Sequence, residues 1–552
     1  MSVLLRHSGD LPPVEAYGVW YAVTGAAGKG ADDKKLEDLA RMLEAAFDAI
    51  CPEWWAVART LADGDGAELA YATTCAGYGS DFGLMMAWGR LTKQMARETE
   101  PCLVICDDPW LFRHLAVLSG VQAGKEPGLL AATLKYRLRG FLARSHLVPR
   151  LAWASLATRR QRPRAAKGGP VILVYGHPRS NAQGHDDYFG PMMSEIPALA
   201  RALHTDCGTT QAAALSADGR TVSLHAWGNP LQAVRLLLKR WRPTITHLSG
   251  SFGWLVRRAA EKEGGGAAHA MNAWQRQCQH AWLTHTRPAV VAWPWENHGW
   301  ERDFCRRARR LGITTLGYQH TVIGPHQLNF SPTANKDGLD SLPDIIVCDG
   351  PAYRDQLLDW GVPAERLVIG GSLRIGRFEG GLYDPKAPCF VALSADHAIA
   401  RQQVGAIKAA AAKGIEFLVK DHPMYPLDFE ETENIRRTTE TLEAQPALSS
   451  VLYSTGTLGL EGLLAGLPTF RFLPEDRIAV DILPGFVAVE TVTAPELTDA
   501  LAEAGKNPSK PDPLPWEDVL SPVDWDLWRK LLAGGKPAAA PEPAPSPKEN
   551  IA

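Results

Sequence analysis

The stretch YSTGTLGLEGLLAGLP, residues 453–468, places a hydroxyl-rich turn directly before a short apolar helix. Such a turn puts the side chains of Ser454, Thr455 and Thr457 where the first backbone N–H groups of a helix point outward. We therefore predict an anion site at this turn, with Thr457 as the helix N-cap. The plain alternative is that these hydroxyls only cap the helix, as Ser and Thr commonly do.

The rest of the stretch predicts where the helix ends and which kind of ligand carries the anion. Gly466 and Pro468 predict the end of the helix, because glycine adopts the left-handed conformation there and proline prevents continuation. Glu461 lies about one turn into the helix, where a carboxylate repels phosphate but accepts hydrogen bonds from ribose hydroxyls. A nucleotide therefore explains the set better than bare phosphate.

A second polar group follows the preceding strand of the pattern, IEFLVKDHP at residues 415–423. Lys420 lies near the end of this strand, and His422 and Pro423 come directly after it. Because the carboxyl ends of neighbouring parallel strands meet at one edge of a sheet, we expect His422 and the hydroxyl turn to face one point. Alone, such a histidine is more often a hydrogen-bonded loop residue.

Over most of the chain, apolar strands alternate with longer periodic helices, which predicts an α/β protein with parallel sheets. We expect two doubly wound, Rossmann-like domains facing each other across a cleft, after an α/β accessory region. The expected segments are 1–124 (accessory region), 125–169 (basic helical linker), 170–343 and 344–505 (the two domains), 506–534 (helical segment) and 535–552 (disordered tail). The stretch 189–203 is predicted to be a helix.

The first of these domains offers a candidate base in AWPWENHGWERDF, residues 292–304. Glu296 follows a strand, and a carboxylate there can deprotonate a hydroxyl if partial burial raises its pKa toward the working range. Asn297 is the expected N-cap of the next helix. Glu301 lies in its first turn, as a second candidate base or a partner of the helix dipole. Gln319 and His320 follow the next strand and are expected at the same cleft.

The motifs KDHP and YSTGTLGLEGLLAGLP resemble the two C-terminal-domain motifs of GT-B glycosyltransferases that use CMP-activated acidic sugars, namely bacterial sialyltransferases and capsule Kdo transferases. The runs WENHGWER and GYQH also look like a family of uncharacterised surface-carbohydrate biosynthesis proteins. The resemblance implies a GT-B fold, with residues 170–343 binding the acceptor and 344–505 the nucleotide sugar. It implies no metal and no cofactor beyond the nucleotide-sugar co-substrate.

By position, the resemblance implies that His422, Ser454, Thr455 and Thr457 contact the CMP phosphate and that Glu461 contacts the ribose. Lys420 and Pro423 complete the expected donor site, and Gln319 and Asn297 are expected to hold the acceptor or the donor sugar. Glu296, Glu301 and His320 are the expected catalytic residues. The paired acidic residues followed by glycine that carry the acid/base residue in sialyltransferases have no match here, so the base rests on position alone.

The predicted function is transfer of Kdo, sialic acid or a related nonulosonate from a CMP donor to a surface polysaccharide or glycoconjugate such as capsule or lipopolysaccharide. The alternatives are a transferase using CDP-glycerol or a UDP- or GDP-hexose on the same scaffold, because CDP-glycerol transferases share similar motifs, and a non-catalytic GT-B module that binds glycan. The expected partners are the nucleotide sugar and a glycan or lipid-linked glycan acceptor.

Composition excludes other classes. A net charge of −3 gives no overall basic field, so nucleic-acid binding has no support. The nine cysteines include no CxxC pair, which predicts reduced thiols and no zinc. Asp107 and Asp108 are adjacent rather than spaced as a DxD metal motif, and we predict no metal.

Residues 125–167 are locally basic, since the stretch 125–169 holds eleven Lys or Arg and one Glu. It is predicted to be either a basic helix pair with a solvated face or an interfacial surface that meets anionic lipid or an acidic glycan. The N-terminus has too short an apolar run for a signal peptide, and no stretch reaches the length of a membrane span. We expect a cytoplasmic protein, peripheral on the inner face of the membrane if the basic stretch binds lipid.

Overall fold

The computed structural model of the 552-residue chain describes residues 2–26, 32–62, 66–77, 79–378, 383–506 and 509–535. Within these residues, the chain forms three parallel sheets flanked by helices. The predicted disordered tail lies outside the described residues except for Gly535. The described part contains no helix that is both long and apolar enough to cross a membrane.

The accessory region folds around a four-stranded sheet, in the order β2-β3-β1-β4 within the described residues. Its strands are β1 (Val3–Arg6), β2 (Val19–Thr24), β3 (Cys102–Cys106) and β4 (Val121–Ala123). Its helices are α1 (Leu39–Ala49), α2 (Cys51–Leu61), α3 (Phe82–Met95) and α4 (Pro109–Ala116). β3 is buried along its whole length, as expected for a strand inside a parallel sheet.

The basic linker is built on one 30-residue helix, α5 (Leu129–Thr158), rather than on a pair of helices. Its inner side buries Val148, Leu151 and Ala154 against the protein. Its other side faces outward with several large apolar side chains exposed. The helix is therefore a packed element of the fold rather than a flexible connection.

The first large domain contains a seven-stranded parallel sheet in the order β11-β10-β9-β8-β5-β6-β7 within the described residues. The strands are β5 (Pro170–Val174), β6 (Ala200–Leu203), β7 (Thr221–Ser223), β8 (Val290–Pro294), β9 (Thr314–Gln319), β10 (Ile345–Cys348) and β11 (Leu367–Ile369). The helices are α6 (Met192–Glu195), α7 (Thr209–Leu215), α8 (Pro230–Arg235), α9 (Ile245–Leu248), α10 (Gly253–Lys262), α11 (Ala267–Thr286), α12 (Gly299–Arg310) and α13 (Pro351–Asp359).

Two sequence predictions about this domain are wrong. The boundary at 343/344 falls inside its sheet, because β10 pairs with β9 and β11 pairs with β10. The stretch 189–203 holds only the four-residue helix α6, and its end forms β6, which pairs with β5. In both cases the apolar pattern alone fits the predicted structure as well as the observed one. Only the pairing with a neighbouring strand shows that the segment belongs to this sheet.

The second large domain contains a six-stranded parallel sheet in the order β14-β13-β12-β15-β16-β17 within the described residues. The strands are β12 (Cys389–Ala392), β13 (Phe417–Lys420), β14 (Ile435–Arg437), β15 (Ser450–Tyr453), β16 (Thr469–Phe472) and β17 (Glu490–Val492). The helices are α14 (His397–Ala411), α15 (Leu458–Leu464) and α16 (Leu497–Ala504). As predicted, Gly466 ends α15 with a φ of 67°.

After the second domain the chain forms α17 (Trp516–Val519) and α18 (Trp525–Leu532), and α18 returns to the first domain. Trp528, Leu531 and Leu532 lie in the same buried cluster as Ile172 and Val174 of β5. The chain thus contains the two doubly wound α/β domains expected from the sequence.

Each large sheet has one topological switch point. There, two neighbouring parallel strands are followed by connections that lead toward opposite edges of the sheet. This point lies between β5 and β8 in the first domain and between β12 and β15 in the second. Ligands of open α/β sheets bind beyond the carboxyl ends of the strands at such points. The candidate site is therefore sought among the residues that follow these four strands and the strands next to them in each sheet.

The accessory region joins both large domains through charged contacts. Arg41 on α1 makes two hydrogen bonds with Glu496 of the second domain, at 2.8 and 2.7 Å. His326 of the first domain contacts Asp48 of α1 through Nε2 at 2.6 Å, and its Nδ1 accepts the backbone N–H of Asp481 at 2.9 Å. One histidine thus links all three parts of the protein.

Candidate functional site

Three titratable side chains meet beyond the carboxyl ends of β8 and β9. Oε2 of Glu296 lies 2.8 Å from Nε2 of His298, and Oε1 of Glu296 lies 3.8 Å from Nε2 of His320. About a third of the Glu296 side chain is exposed, compared with 5% of His320. We call Glu296, His298 and His320 the first-domain cluster.

The electrostatics of this cluster differ from the sequence prediction. Burial raises the pKa of Glu296, but the hydrogen bond from His298 and the charges of His298, His320 and Arg374 outweigh it and lower the pKa to about 2. Burial opposes charge on His298, yet its contacts with Cys75 and Glu296 raise the pKa well above the ordinary value. Glu296 and His298 therefore form an ion pair at neutral pH, and the condition set for a base at Glu296, a pKa raised toward the working range, is not met in the free protein.

His320 behaves in the opposite way. Burial lowers the pKa of His320 to about 4, so the imidazole is neutral at pH 7. Its ring also packs edge-on against Tyr188, with 5.1 Å between the ring centroids. The cluster therefore offers one carboxylate, one imidazolium and one neutral imidazole within a few ångströms.

Glu301 and Asn297 support the loop after β8 and do not reach the cleft. The fully buried Glu301 accepts hydrogen bonds from Trp293 Nε1 at 3.1 Å and from the backbone N–H groups of Glu296 and Asn297, both at 3.0 Å. Burial raises the pKa of Glu301 to about 7. Its expected catalytic role is thus replaced by a positioning role toward Glu296.

Asn297 is likewise a structural residue. It has a φ of 55°, and its amide donates to the carbonyl of Asn329 at 2.7 Å. The N-cap of α12 is His298 rather than Asn297. Because the Asn297 side chain is fully buried, it cannot contact an acceptor or a donor sugar.

Gln319, expected at the cleft, is locked into the end of the sheet. Its Oε1 accepts the backbone N–H of Asp349 at 2.9 Å, and its Nε2 donates to the carbonyl of Thr321. The side chain is fully buried. Gln319 therefore fixes the path of the chain between β9 and β10.

Sequence analysis missed a group of residues around Arg374, which follows β11. The guanidinium lies over the ring of Tyr188, 5.6 Å from its centroid, and 3.8 Å from the carboxylate of Asp187. Asp187 also contacts Nδ1 of His177 at 3.3 Å. His177 directly follows the strand VILV and its tyrosine-glycine turn, so the strand-end rule that selected Glu296 would also have selected His177.

In the second domain, His422 and Lys420 lie at the carboxyl end of β13. Nδ1 of His422 accepts the backbone N–H of Met424 at 3.3 Å, a contact that does not use Nε2. Burial lowers the pKa of His422 and that of Lys420. Pro423 is exposed beside them.

The hydroxyl turn after β15 divides into one structural and two accessible side chains. Ser454 is fully buried and donates to the carbonyl of Phe472 at 3.0 Å, so its predicted contact with phosphate is wrong. Thr455 is partly exposed, with its hydroxyl 3.4 Å from that of Ser394. Thr457 is the N-cap residue of α15 as predicted, although its hydroxyl donates to Glu461 at 3.0 Å instead of capping the backbone.

We call Lys420, His422, Thr455 and Thr457 the second-domain set. It lies across the cleft from the first domain, close enough for charges on one side to act on the other. The charge of His422 adds to the burial that lowers the pKa of His177, and the charge of Arg374 opposes the burial that raises the pKa of Glu461. The candidate site is therefore the cleft between the two switch points.

Within the described residues, no group of three or more His, Cys, Asp or Glu side chains has the geometry to hold a metal ion. The cysteines of the chain are free thiols, eight of them buried.

No protein-family model matches the chain, and no curated protein matches its sequence. Solved structures similar to it include the glycotransferase of kitacinnamycin, at 13% identity and a TM-score of 0.38 over 67% of this chain and 96% of that one. They also include UDP-GlcNAc 2-epimerase of Methanocaldococcus jannaschii (10% identity, 66% and 99% covered, TM-score 0.38) and MurG of Acinetobacter baumannii (10%, 66% and 99%, TM-score 0.34). At these TM-scores the likenesses carry no conclusion about function.

Proposed function

We propose that the chain is a glycosyltransferase whose active site is the cleft between the two switch points. The observation that supports this most is the pairing of a carboxylate-imidazole cluster on one side with a set of lysine, histidine and threonine side chains on the other. Transfer of a sugar from a nucleotide needs both: a group that accepts a proton from the acceptor, and groups that stabilise the departing phosphate.

In the proposed reaction, an acceptor hydroxyl oxygen forms a bond to the anomeric carbon while the bond from that carbon to the phosphate oxygen breaks. Glu296 takes the hydroxyl proton, and the nucleotide leaves with the bonding electron pair. We choose Glu296 over His320 because its carboxylate is the more exposed of the two. His298 holds this carboxylate in place.

The low pKa of Glu296 in the free protein makes it a weak base, and an anionic donor would change this. Negative charge beside a carboxylate raises its pKa, and a donor carboxylate paired with Arg374 would cancel one of the charges that lower it. Donor binding would therefore bring Glu296 closer to the working range.

For the donor we propose a CMP-linked acidic sugar, namely Kdo, sialic acid or a related nonulosonate. The support is the motif resemblance together with Arg374, whose guanidinium is suited to a sugar carboxylate. His422, Lys420, Thr455 and Thr457 would hold the phosphate, and Glu461 the ribose. The reaction is proposed to need no metal, so it should survive chelation.

The alternatives use the same cleft. A CDP-glycerol or UDP- or GDP-hexose transferase would keep both sides and change the nucleotide, and a non-catalytic glycan-binding module would need neither Glu296 nor His422. Acceptor identity stays at the level of a surface glycan or lipid-linked glycan, and the cytoplasmic location stays a prediction.

A thermal-shift screen against CMP, CDP, UDP, GDP and ADP separates these possibilities. Stabilisation by CMP above the others supports the proposed donor class, and preference for another nucleotide selects the matching alternative. Incubation with CMP-linked sugars, followed by detection of released CMP, then distinguishes an enzyme from a binding module.

A further inference from the structure

The outer side of α5 carries large apolar side chains that the protein does not cover. Leu130 is 82% exposed, Leu134 65% and Leu138 56%. Further along, Phe141, Leu142, Trp153 and Leu156 are 45 to 66% exposed. With 3.6 residues per turn, Leu130, Leu134, Leu138, Phe141 and Leu142 fall within an arc of about 120°. These five side chains form one stripe along the helix. We use the name α5 stripe for these five residues together with Trp153 and Leu156.

Cations lie beside this stripe. Lys135, Arg139 and Arg150 are exposed on its flank, and Arg159 and Arg160 follow the end of the helix. Within the described residues none of these five makes a salt bridge. By contrast, Arg137 is paired with Glu261 at 2.8 and 2.9 Å, and Arg144 is buried against backbone carbonyls.

Acidic residues are missing from the whole segment. The sequence has no Asp or Glu between Glu126 and Asp186. The neighbouring α8, which packs against α5, adds exposed Leu231 and Val234, and the exposed Leu238 lies shortly after its end. The α5 surface is therefore apolar in the middle and basic at its side, and α5 itself carries no carboxylate; Glu261 of the neighbouring α10 is paired with Arg137 and Arg240.

We propose that the α5 stripe docks the protein on an anionic lipid bilayer, with α5 lying flat in the interface. Helices of this kind bury their apolar face at the boundary between headgroups and acyl chains, while basic side chains contact anionic headgroups. A second copy of this chain fits less well, because a symmetric contact would bring the same unpaired cations together. This inference is independent of the proposed activity, since the stripe lies outside the cleft.

The structure also corrects which residues of the predicted membrane surface take part. Arg137, Arg144 and Arg162 are engaged within the protein, the last with the carbonyl of Ala226 at 2.5 Å. Leu151 is buried. The contact is instead assigned to the stripe and its five unpaired cations.

Flotation of the full chain with lipid vesicles tests the proposal. We expect binding to vesicles of phosphatidylcholine with phosphatidylglycerol, at least about tenfold stronger than to phosphatidylcholine alone, and weakened by high salt. The apolar variant Leu134→Ser, Leu138→Ser, Leu142→Ser and the charge variant Lys135→Ser, Arg139→Ser, Arg150→Ser should each lose most of this binding. Circular dichroism and melting temperature establish that the variants are folded.

Matched controls use exposed residues elsewhere. Ile245→Ser with Phe486→Ser, and Arg401→Ser with Lys413→Ser, should bind vesicles as the wild type does. Equal binding to both lipids, binding to neither, or loss of binding in the controls would overturn the proposal. A wild-type dimer that the apolar variant converts to a monomer, without lipid binding, would assign the stripe to a second copy instead.

Discussion

The two sides of the cleft satisfy their polar groups in different ways. In the first-domain cluster, Glu296 and His298 neutralise each other. Glu301 holds their loop in place by accepting a hydrogen bond from the backbone N–H of Glu296. In the second-domain set, the side chains of His422 and Thr455 each make one long hydrogen bond within the described residues, at 3.3 and 3.4 Å, and the His422 ring also lies beside that of Tyr425. One side is organised before any ligand arrives, whereas the other keeps polar groups available for one. Changes to the first side should therefore cost activity or stability, and changes to the second should cost binding.

The largest expected effect concerns Glu296. We expect Glu296→Gln to lower kcat by roughly 10² to 10⁴-fold while donor affinity stays close to the wild type, because a base acts mainly in the transition state. The measurement is CMP release under donor saturation, together with donor binding by calorimetry. Glu365→Gln, an exposed distant carboxylate, serves as the control. Wild-type turnover in Glu296→Gln would transfer the role of base to His320.

The next effect is on stability and its pH dependence. The pKa of Glu301 is raised from 4.5 to about 7, so the folded state keeps a proton that the unfolded state releases. Stability from this group is thus lost as pH rises from 4.5 to 7, by on the order of 3 kcal/mol. Glu301→Gln should remove that loss. Urea unfolding of both proteins at pH 5 and pH 8 measures it, and parallel changes in both would show that Glu301 is not the group responsible.

On the second side, the expected effect is on ligand binding. CMP at 100 times its Kd should stabilise the wild type by about 2.7 kcal/mol, and His422→Ala should abolish most of this shift with little change in the free protein. Thermal melts with and without CMP measure both quantities. A shift by UDP or GDP but not by CMP would contradict the donor assignment.

The smallest effect separates two neighbouring hydroxyls. Ser454→Ala should destabilise the protein by about 1 kcal/mol, because the buried carbonyl of Phe472 loses its hydrogen bond, and it should leave the CMP shift intact. Thr455→Val should do the reverse, with near-normal stability and a reduced CMP shift. Equal losses of the CMP shift in both variants would restore Ser454 to the phosphate site.

Sequence patterns located the strand ends well. The apolar runs ending before Glu296, His422 and Ser454 are strands, and the glycine at 466 ends its helix. These predictions succeed because a buried parallel strand and a helix end are local properties of the chain. They also place the two halves of the cleft at the right positions in sequence.

The pattern could not give the direction of a side chain or the partner of a strand. Gln319 and Ser454 lie at the right strand ends and point into the protein, because a buried N–H or carbonyl takes their hydrogen bond. Glu301 lies in the first turn of α12 as predicted, but its carboxylate accepts hydrogen bonds from three donors inside the protein, which the sequence pattern does not show. Arg374 was missed because it approaches the cluster from a loop distant in sequence.

The return of α18 to the first domain has a consequence for synthesis on the ribosome. Trp528, Leu531 and Leu532 complete a buried cluster that begins with Ile172, so its last members are made about 350 residues after its first ones. Until then this cluster lacks its last members, while the second domain emerges and can fold on its own sheet. The first large domain is therefore completed only after the second has been translated, although most of its chain is made earlier.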